Sequence, residues 1–220
     1  MATSLFEISS ANYYQVQIDV QDKLGNTPLH LALDKSNVSR LNPCPACSRF
    51  ERIASYIVQH AGNLHGFKLL LEKGANPNLV NNDGSTPLHV ICRREKYIFE
   101  DWMKTFLKIN DANHQNVSLD VADKMGRTPL HLALAHDHKK LVELLIRRGA
   151  NANVADAEGL TPLHMICKQD DLAGFLTTFF EINLEVNQLV QVNVEDKKGR
   201  TPLQWAHRNI SEKFKAASGT

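Results

Sequence analysis

Apolar residues in this chain gather into short, dense clusters, each set off by the same polar preface. Leu29, Leu31, Ala32 and Leu33 follow one Thr-Pro pair, and Leu130, Leu132, Ala133 and Leu134 follow another. The tripeptide Thr-Pro-Leu begins at Thr27, Thr86, Thr128, Thr161 and Thr201, in steps of 59, 42, 33 and 40 residues. Such self-similarity marks an array of stacked units, with the unequal steps read as insertions. Gly25, Gly84, Gly126, Gly159 and Gly199 stand two residues before each threonine, and Asp22, Asp123, Asp156 and Asp196 stand five before four of them. Glycine supplies the positive φ of a tight turn, threonine accepts from the first helical N–H groups, and proline at the first helical position removes a donor that has no partner there. A turn and a helix start are therefore written together five times.

A second helix follows the first. Leu141, Val142, Leu144, Leu145 and Ile146 lie at helical spacing with Gly149 behind them as a C-terminal cap, and Gly74 follows Leu69, Leu70 and Leu71 in the same way. Residues 123 to 153 thus read Asp-x-x-Gly-x-Thr-Pro-Leu-His, two helices, then Gly-Ala-Asn, and in this the chain resembles the ankyrin-repeat family. The resemblance extends over nearly the whole chain. It implies an all-α solenoid of stacked helix-turn-helix units with hairpin turns, forming one ankyrin-repeat domain over residues 1–220.

Its expected divisions are an N-terminal half repeat at 1–21, a repeat at 22–80 with an insertion at about 35–61, repeats at 81–122, 123–155 and 156–195, and a C-terminal half repeat at 196–220. Units alternate in kind. Leu-Phe-Glu-Ile at 5–8, Phe-Leu-Lys-Ile at 106–109 and Phe-Phe-Glu-Ile at 179–182 each end 19 residues before one of the threonines. End units of a solenoid face water on one side and need polar residues there. His207, Arg208, Asn209, Ser211, Glu212, Lys213 and Lys215 meet that need at one end, whereas Leu5, Phe6, Ile8, Tyr13 and Tyr14 do not meet it at the other.

Charge enters as a local matter, because 25 Lys and Arg balance 24 Asp and Glu over the whole chain. No overall field argues for nucleic acid. Two of the four cysteines fall inside helical patterns and not in a loop framework, the start has no leader pattern, and no uninterrupted apolar run reaches about 18 residues. The expectation is a soluble protein of the cytoplasm, or of the nucleus. The sequons at Asn37, Asn116 and Asn209 would matter only after export.

His30, His89, His131 and His164 close four of the five Thr-Pro-Leu motifs and invite thoughts of metal or base catalysis. Gln204, which closes the fifth, can make hydrogen bonds but cannot exchange a proton, so a structural role is expected for the row. Cys92 and Cys167 fall on the packed side of their helices and read as small buried hydrophobes, not as nucleophiles. In the insertion, Cys44, Cys47, His60 and His65 follow Cys-x2-Cys-x12-His-x4-His, a zinc-site spacing, although Pro43 and Pro45 leave little room for a hairpin. The plainer reading is a loop feeding an extra helical turn. Phosphate-binding, zincin, nucleophile-elbow and kinase motifs do not occur, and no enzyme activity, cofactor or small-molecule substrate is expected.

The resemblance implies a concave partner-binding face built from the variable turn positions and the exposed end of each first helix. Those positions hold Lys23, Leu24, Asn26 and Lys35, then Arg93 and Arg94, then Lys124, Met125, Arg127 and His136, then Leu160 and Lys168, then Lys197, Lys198 and Arg200. With Arg208 included, eleven basic side chains stand there against Asp34, Asp83 and Glu158. Solubility would explain such charge, but an acidic partner would explain it together with the apolar Leu24, Met125 and Leu160. The expected function is protein–protein interaction, as scaffold or adaptor. The ankyrin inhibitors of Rel-type transcription factors offer one architectural analogy, and a zinc-containing or nucleic-acid-binding module at residues 35–65 is the alternative from another class.

Overall fold

The computed structural model describes residues 18–33, 63–94, 99–169 and 172–218. Among these, nine α-helices and no strands occur: α1 Pro28–Leu33, α2 Asn63–Glu72, α3 Pro87–Cys92, α4 Phe99–Ala112, α5 Pro129–Ala135, α6 Lys139–Arg147, α7 Pro162–Ile166, α8 Leu172–Glu185 and α9 Pro202–Ser218. The chain forms two compact units, Met1–Ser118 and Leu119–Thr220. In the first, α1 packs on α3 and α2 on α4, so first and second helices form separate rows. In the second, α5, α7 and α9 make one row and α6 and α8 the other.

Helices of five to seven residues are too short to hold themselves together in water. Three devices compensate. Every one of the five Thr-Pro pairs does become a helix start, and in the first four the leucine that follows is buried, Leu29, Leu88 and Leu130 fully. The amide of Thr27, Thr86, Thr128 and Thr161 donates to Nδ1 of the histidine three residues on, at 3.1 to 3.2 Å. That contact assigns the ring proton to Nε2, which donates across to the next hairpin: His30 to the Ser85 carbonyl at 2.8 Å, His131 to Leu160 at 3.0 Å and His164 to Arg200 at 3.0 Å. Each acceptor is the residue just before the next capping threonine. One side chain therefore closes a cap and joins two repeats. At the fifth motif the Gln204 amide oxygen accepts from the Thr201 amide at 2.9 Å and takes over the capping half of that role.

Alternation of unit types has a mechanical basis. The second asparagine of Gly-Ala-Asn-x-Asn clamps the connection that follows: Asn78 Nδ2 donates to Asn116 O at 2.7 Å while its Oδ1 accepts from Ser118 N at 2.8 Å. Asn153 holds Leu189 O at 2.7 Å and Gln191 N at 2.8 Å in the same manner. Second helices of the Gly-Ala-Asn type end at Gly74 and Gly149 with positive φ, and those of the aromatic type end at His114 (φ 53°) and Asn187 (φ 55°). The bonding is equivalent in both, for example Ala75 N to Leu70 O and Gln115 N to Asn110 O.

The C-terminal helix departs from expectation. It runs unbroken for 17 residues, and although His207, Arg208, Glu212, Lys213 and Lys215 are exposed as expected, Leu203, Ile210 and Phe214 are exposed beside them. The helical repeat sorts the segment into a polar side and an apolar side, which a residue list does not show.

Two comparisons test this account. A Cβ at Gly126 would lie 2.5 Å from Ala157 N, whereas one at Gly149 would meet nothing within 4 Å. Gly149→Ala should therefore cost about 1 kcal/mol from left-handed strain alone, and Gly126→Ala at least about 2 kcal/mol more, read by urea denaturation. His131→Ala should lower stability by about 2–4 kcal/mol and His131→Gln by about half as much, since only the first strands the Thr128 amide and leaves a cavity. Equal losses for the two histidine variants would contradict the cap-and-bridge role.

The same imidazoles set a pH dependence. Burial holds His30 and His131 below the ordinary histidine value of 6.5, partly opposed by their bonds to Ser85 and Leu160. Below 6.5 the unfolded chain takes up protons that the folded chain refuses, so stability falls with falling pH in that range. Melting temperature should drop between about pH 7.5 and about pH 5.5, with a shallower slope in the His30→Gln/His131→Gln variant.

Candidate functional site

The hairpin tips are the most regular feature that faces water. In each, a carboxylate or amide side chain ties the loop from inside: Asp123 Oδ1 accepts from the amides of Met125 and Arg127, both at 2.9 Å. Asp22, Asp156 and Asp196 do the same in their loops. Asn81 plays this part in the second hairpin, accepting from Asp83 and Ser85 at 3.0 Å, a substitution that the sequence reading passed over. With the loop tied inward, the two residues after the anchor point out. Lys23 and Leu24, Lys124 and Met125, and Lys197 and Lys198 are all exposed, Leu24 at 61% and Met125 at 57%. Tips join neighbours within each unit through Asn82 N to Leu24 O, Ala157 N to Met125 O and Lys197 N to Glu158 O, at 2.8 to 3.0 Å.

The basic residues expected on this face divide into two groups. Three arginines are committed to the fold. Arg127 Nε and Nη2 both donate to Asp123 Oδ2, at 3.0 and 2.8 Å, and Arg200 holds Asp196 at 2.9 and 2.7 Å. The Arg200 guanidinium, with the Trp205 indole N–H at 3.0 Å, keeps the Asp196 carboxyl far below the usual carboxylate range. Burial alone would raise the Asp123 carboxyl, but the bonds from Arg127 and the loop amides together bring it below its ordinary value. Arg94 is buried, 9% exposed, with its guanidinium 4.3 Å from the centre of the Trp102 ring. A flat, weakly hydrated cation packs against an aromatic face more readily than sequence position alone suggests.

Other positions keep their charge at the surface. Lys23, Lys124, Lys197 and Lys198 are exposed, and exposed Arg93 donates to Ser85 Oγ at 3.0 Å. Lys168 is exposed but leans over Trp205 at 4.2 Å, and partial burial draws its ammonium below the ordinary lysine value. Among the uncharged positions, Asn26 and Leu160 are half-buried, and Asn26 Oδ1 accepts from Asn81 Nδ2 at 2.9 Å. His136 is exposed, its ring stacked 5.8 Å from that of His138. Lys35 lies outside the described residues.

Little else in the described residues offers chemistry. Cys92 and Cys167 are free and buried, and burial raises both thiols, Cys167 to about 11 and Cys92 further, so neither is a thiolate at neutral pH. Of the zinc candidates, Cys44, Cys47 and His60 lie outside the described residues, and His65 is an exposed residue of α2. Among the described residues no group of three or more His, Cys, Asp or Glu side chains could hold a metal, and no helix is long and apolar enough to cross a membrane.

Comparison with known proteins agrees with this geometry. A family described as ankyrin repeats in three copies matches residues 54–156 and 137–216, and a single ankyrin repeat matches residues 24–82. Alpha-latrotoxin-Lg1a of Latrodectus geometricus is 34% identical over 144 residues, which is 64% of this chain and 10% of that protein. Rabankyrin-5 of Mus musculus is 30% identical over 143 residues, 65% of this chain and 11% of that protein. A transient receptor potential cation channel subfamily A member 1 homolog of Caenorhabditis elegans is 30% identical over 128 residues, 54% of this chain and 10% of that protein. The chain thus spans about a tenth of the length of these relatives. The capped helix pairs, the tied hairpins and the match over most of the sequence place this chain in the ankyrin-repeat family.

Proposed function

We propose that the chain is a scaffold or adaptor that binds acidic segments of a partner protein at the hairpin tips of each of its two compact units. Ankyrin repeats mediate protein–protein interactions, and the family is typically non-enzymatic. The observation that carries the finer reading is the exposure of Leu24 and Met125, large apolar side chains each set directly beside an outward lysine. An apolar anchor within a cationic surround suits a partner that brings carboxylates around a hydrophobic residue. Lysines steer and orient the encounter, while the apolar contacts slow dissociation. Lys197 and Lys198 extend the cationic surround at the last hairpin. The cytoplasm or nucleus is the proposed location, where the free thiols of Cys92 and Cys167 would stay reduced.

The test is affinity capture from the native cell with three baits: wild type, the Lys23→Glu/Lys124→Glu/Lys197→Glu/Lys198→Glu variant, and Leu24→Asp/Met125→Asp. All substituted side chains are exposed, so the variants should melt with wild type. A partner retained by wild type at low salt should be reduced by about tenfold or more with either variant, and released by wild type as salt rises. Undiminished capture by the charge-reversed bait would remove the acidic partner from this reading; undiminished capture by both would remove the surface.

A further inference from the structure

The outward residues of the hairpin tips repeat with a period of two repeats. Lys23 and Leu24 at the first tip are followed by Asn82 and Asp83 at the second, and Lys124 and Met125 at the third by Ala157 and Glu158 at the fourth, all of them exposed. Each compact unit therefore pairs a tip carrying a lysine and a large apolar side chain with a tip carrying a carboxylate. The two tips of a pair are fastened together in the same way in both units. Asn82 N donates to Leu24 O at 2.8 Å, supported by Asn82 Nδ2 to Lys23 O at 3.0 Å, and Ala157 N donates to Met125 O at 2.8 Å. The residue after each junction is tied through its amide, Asp83 N to Asn81 Oδ1 at 3.0 Å and Glu158 N to Asp156 Oδ1 at 2.9 Å, which leaves its carboxylate to the solvent.

Attraction between neighbouring tips accounts for charges that alternate in sign. It does not account for a large apolar side chain exposed at the same place in both units, Leu24 at 61% and Met125 at 57%. We infer that the two units are equivalent sites for one mixed-charge peptide motif: a carboxylate beside an apolar residue, with a basic residue one repeat farther along. The inference rests on the tips being the binding surface, and adds to that reading the basic residue and the number of sites. On each unit the motif's carboxylate meets the lysine, its apolar residue meets Leu24 or Met125, and its basic residue meets Asp83 or Glu158. Packed helices of successive repeats lie about 8–10 Å apart, which is the span of about three residues of extended chain. A segment acidic throughout is selected against, because its next carboxylate would face the carboxylate of the second tip.

The probe is a random peptide library displayed on phage, selected in parallel on the full chain as wild type and as Asp83→Lys/Glu158→Lys. All the side chains substituted in these tests are exposed, so the variants should melt with wild type. Peptides enriched on wild type should share a carboxylate beside an apolar residue, with Lys or Arg about three positions away. Those enriched on the variant should carry Asp or Glu in place of that base. In calorimetric titration a peptide selected on wild type should bind at two equivalents per chain, and at one equivalent to Leu24→Asp or to Met125→Asp. Asp83→Lys alone should weaken one of its two sites by about tenfold and leave the other unchanged. A wild-type consensus that is acidic throughout would overturn the inference while leaving the tips as a binding surface, and so would a single equivalent per chain. A consensus that is unchanged on Lys23→Glu/Lys124→Glu would overturn the surface itself and this inference with it, as would the failure of any sequence to enrich.

Discussion

The structure depends on the imidazole that follows four of the five Thr-Pro-Leu motifs. A first helix of five to seven residues has almost as many unsatisfied terminal groups as internal bonds. Nδ1 of the histidine removes one orphan donor, and Nε2–H binds the loop that opens the next repeat. Local structure and stacking are thereby satisfied by the same ring, so neither a repeat nor its neighbour is complete alone. At His30 and His131 burial favours the neutral ring, and a neutral ring is what the geometry needs, with one nitrogen accepting and the other donating.

Much of this was legible in the sequence because the signals are local. Thr, Pro, Gly and Asp act within a five-residue window, and all five Thr-Pro-Leu sites open helices. Cys92 and Cys167 are buried, as their place on the packed helix face suggested. What escaped notice needed partners distant in the chain or a stand-in residue. Asn81 does the work of aspartate because the loop-tying bonds need only a side-chain oxygen, leaving its Nδ2 to donate to Asn26, and His114 and Asn187 adopt the left-handed turn usually given to glycine. Asparagine and histidine are both among the non-glycine residues enriched in that conformation. The apolar face of α9 was hidden by the charged residues interleaved with it.

The candidate surface was legible in position but not in charge. Counting basic residues at the turn positions treats arginine and lysine alike, and the structure separates them. Arg94, Arg127 and Arg200 satisfy Trp102, Asp123 and Asp196, whereas the tip lysines extend into water. A planar fork suits a fixed carboxylate or a ring; a flexible ammonium stays solvated. The cationic character left for a partner is therefore weaker than the sequence tally and is concentrated at the tips.

The chain contains two tryptophans, and the fold distributes them one to each compact unit. Trp102 is sealed in the core of the first beneath a guanidinium, while Trp205, in the second, is half in water, flanked by two cations and bonded through its indole N–H to a carboxylate. An indole's emission colour follows the polarity around it, and nearby cations and anions shift it further. The two halves of the molecule thus carry distinguishable optical labels of their own, and loosening of one half can be watched without any added dye.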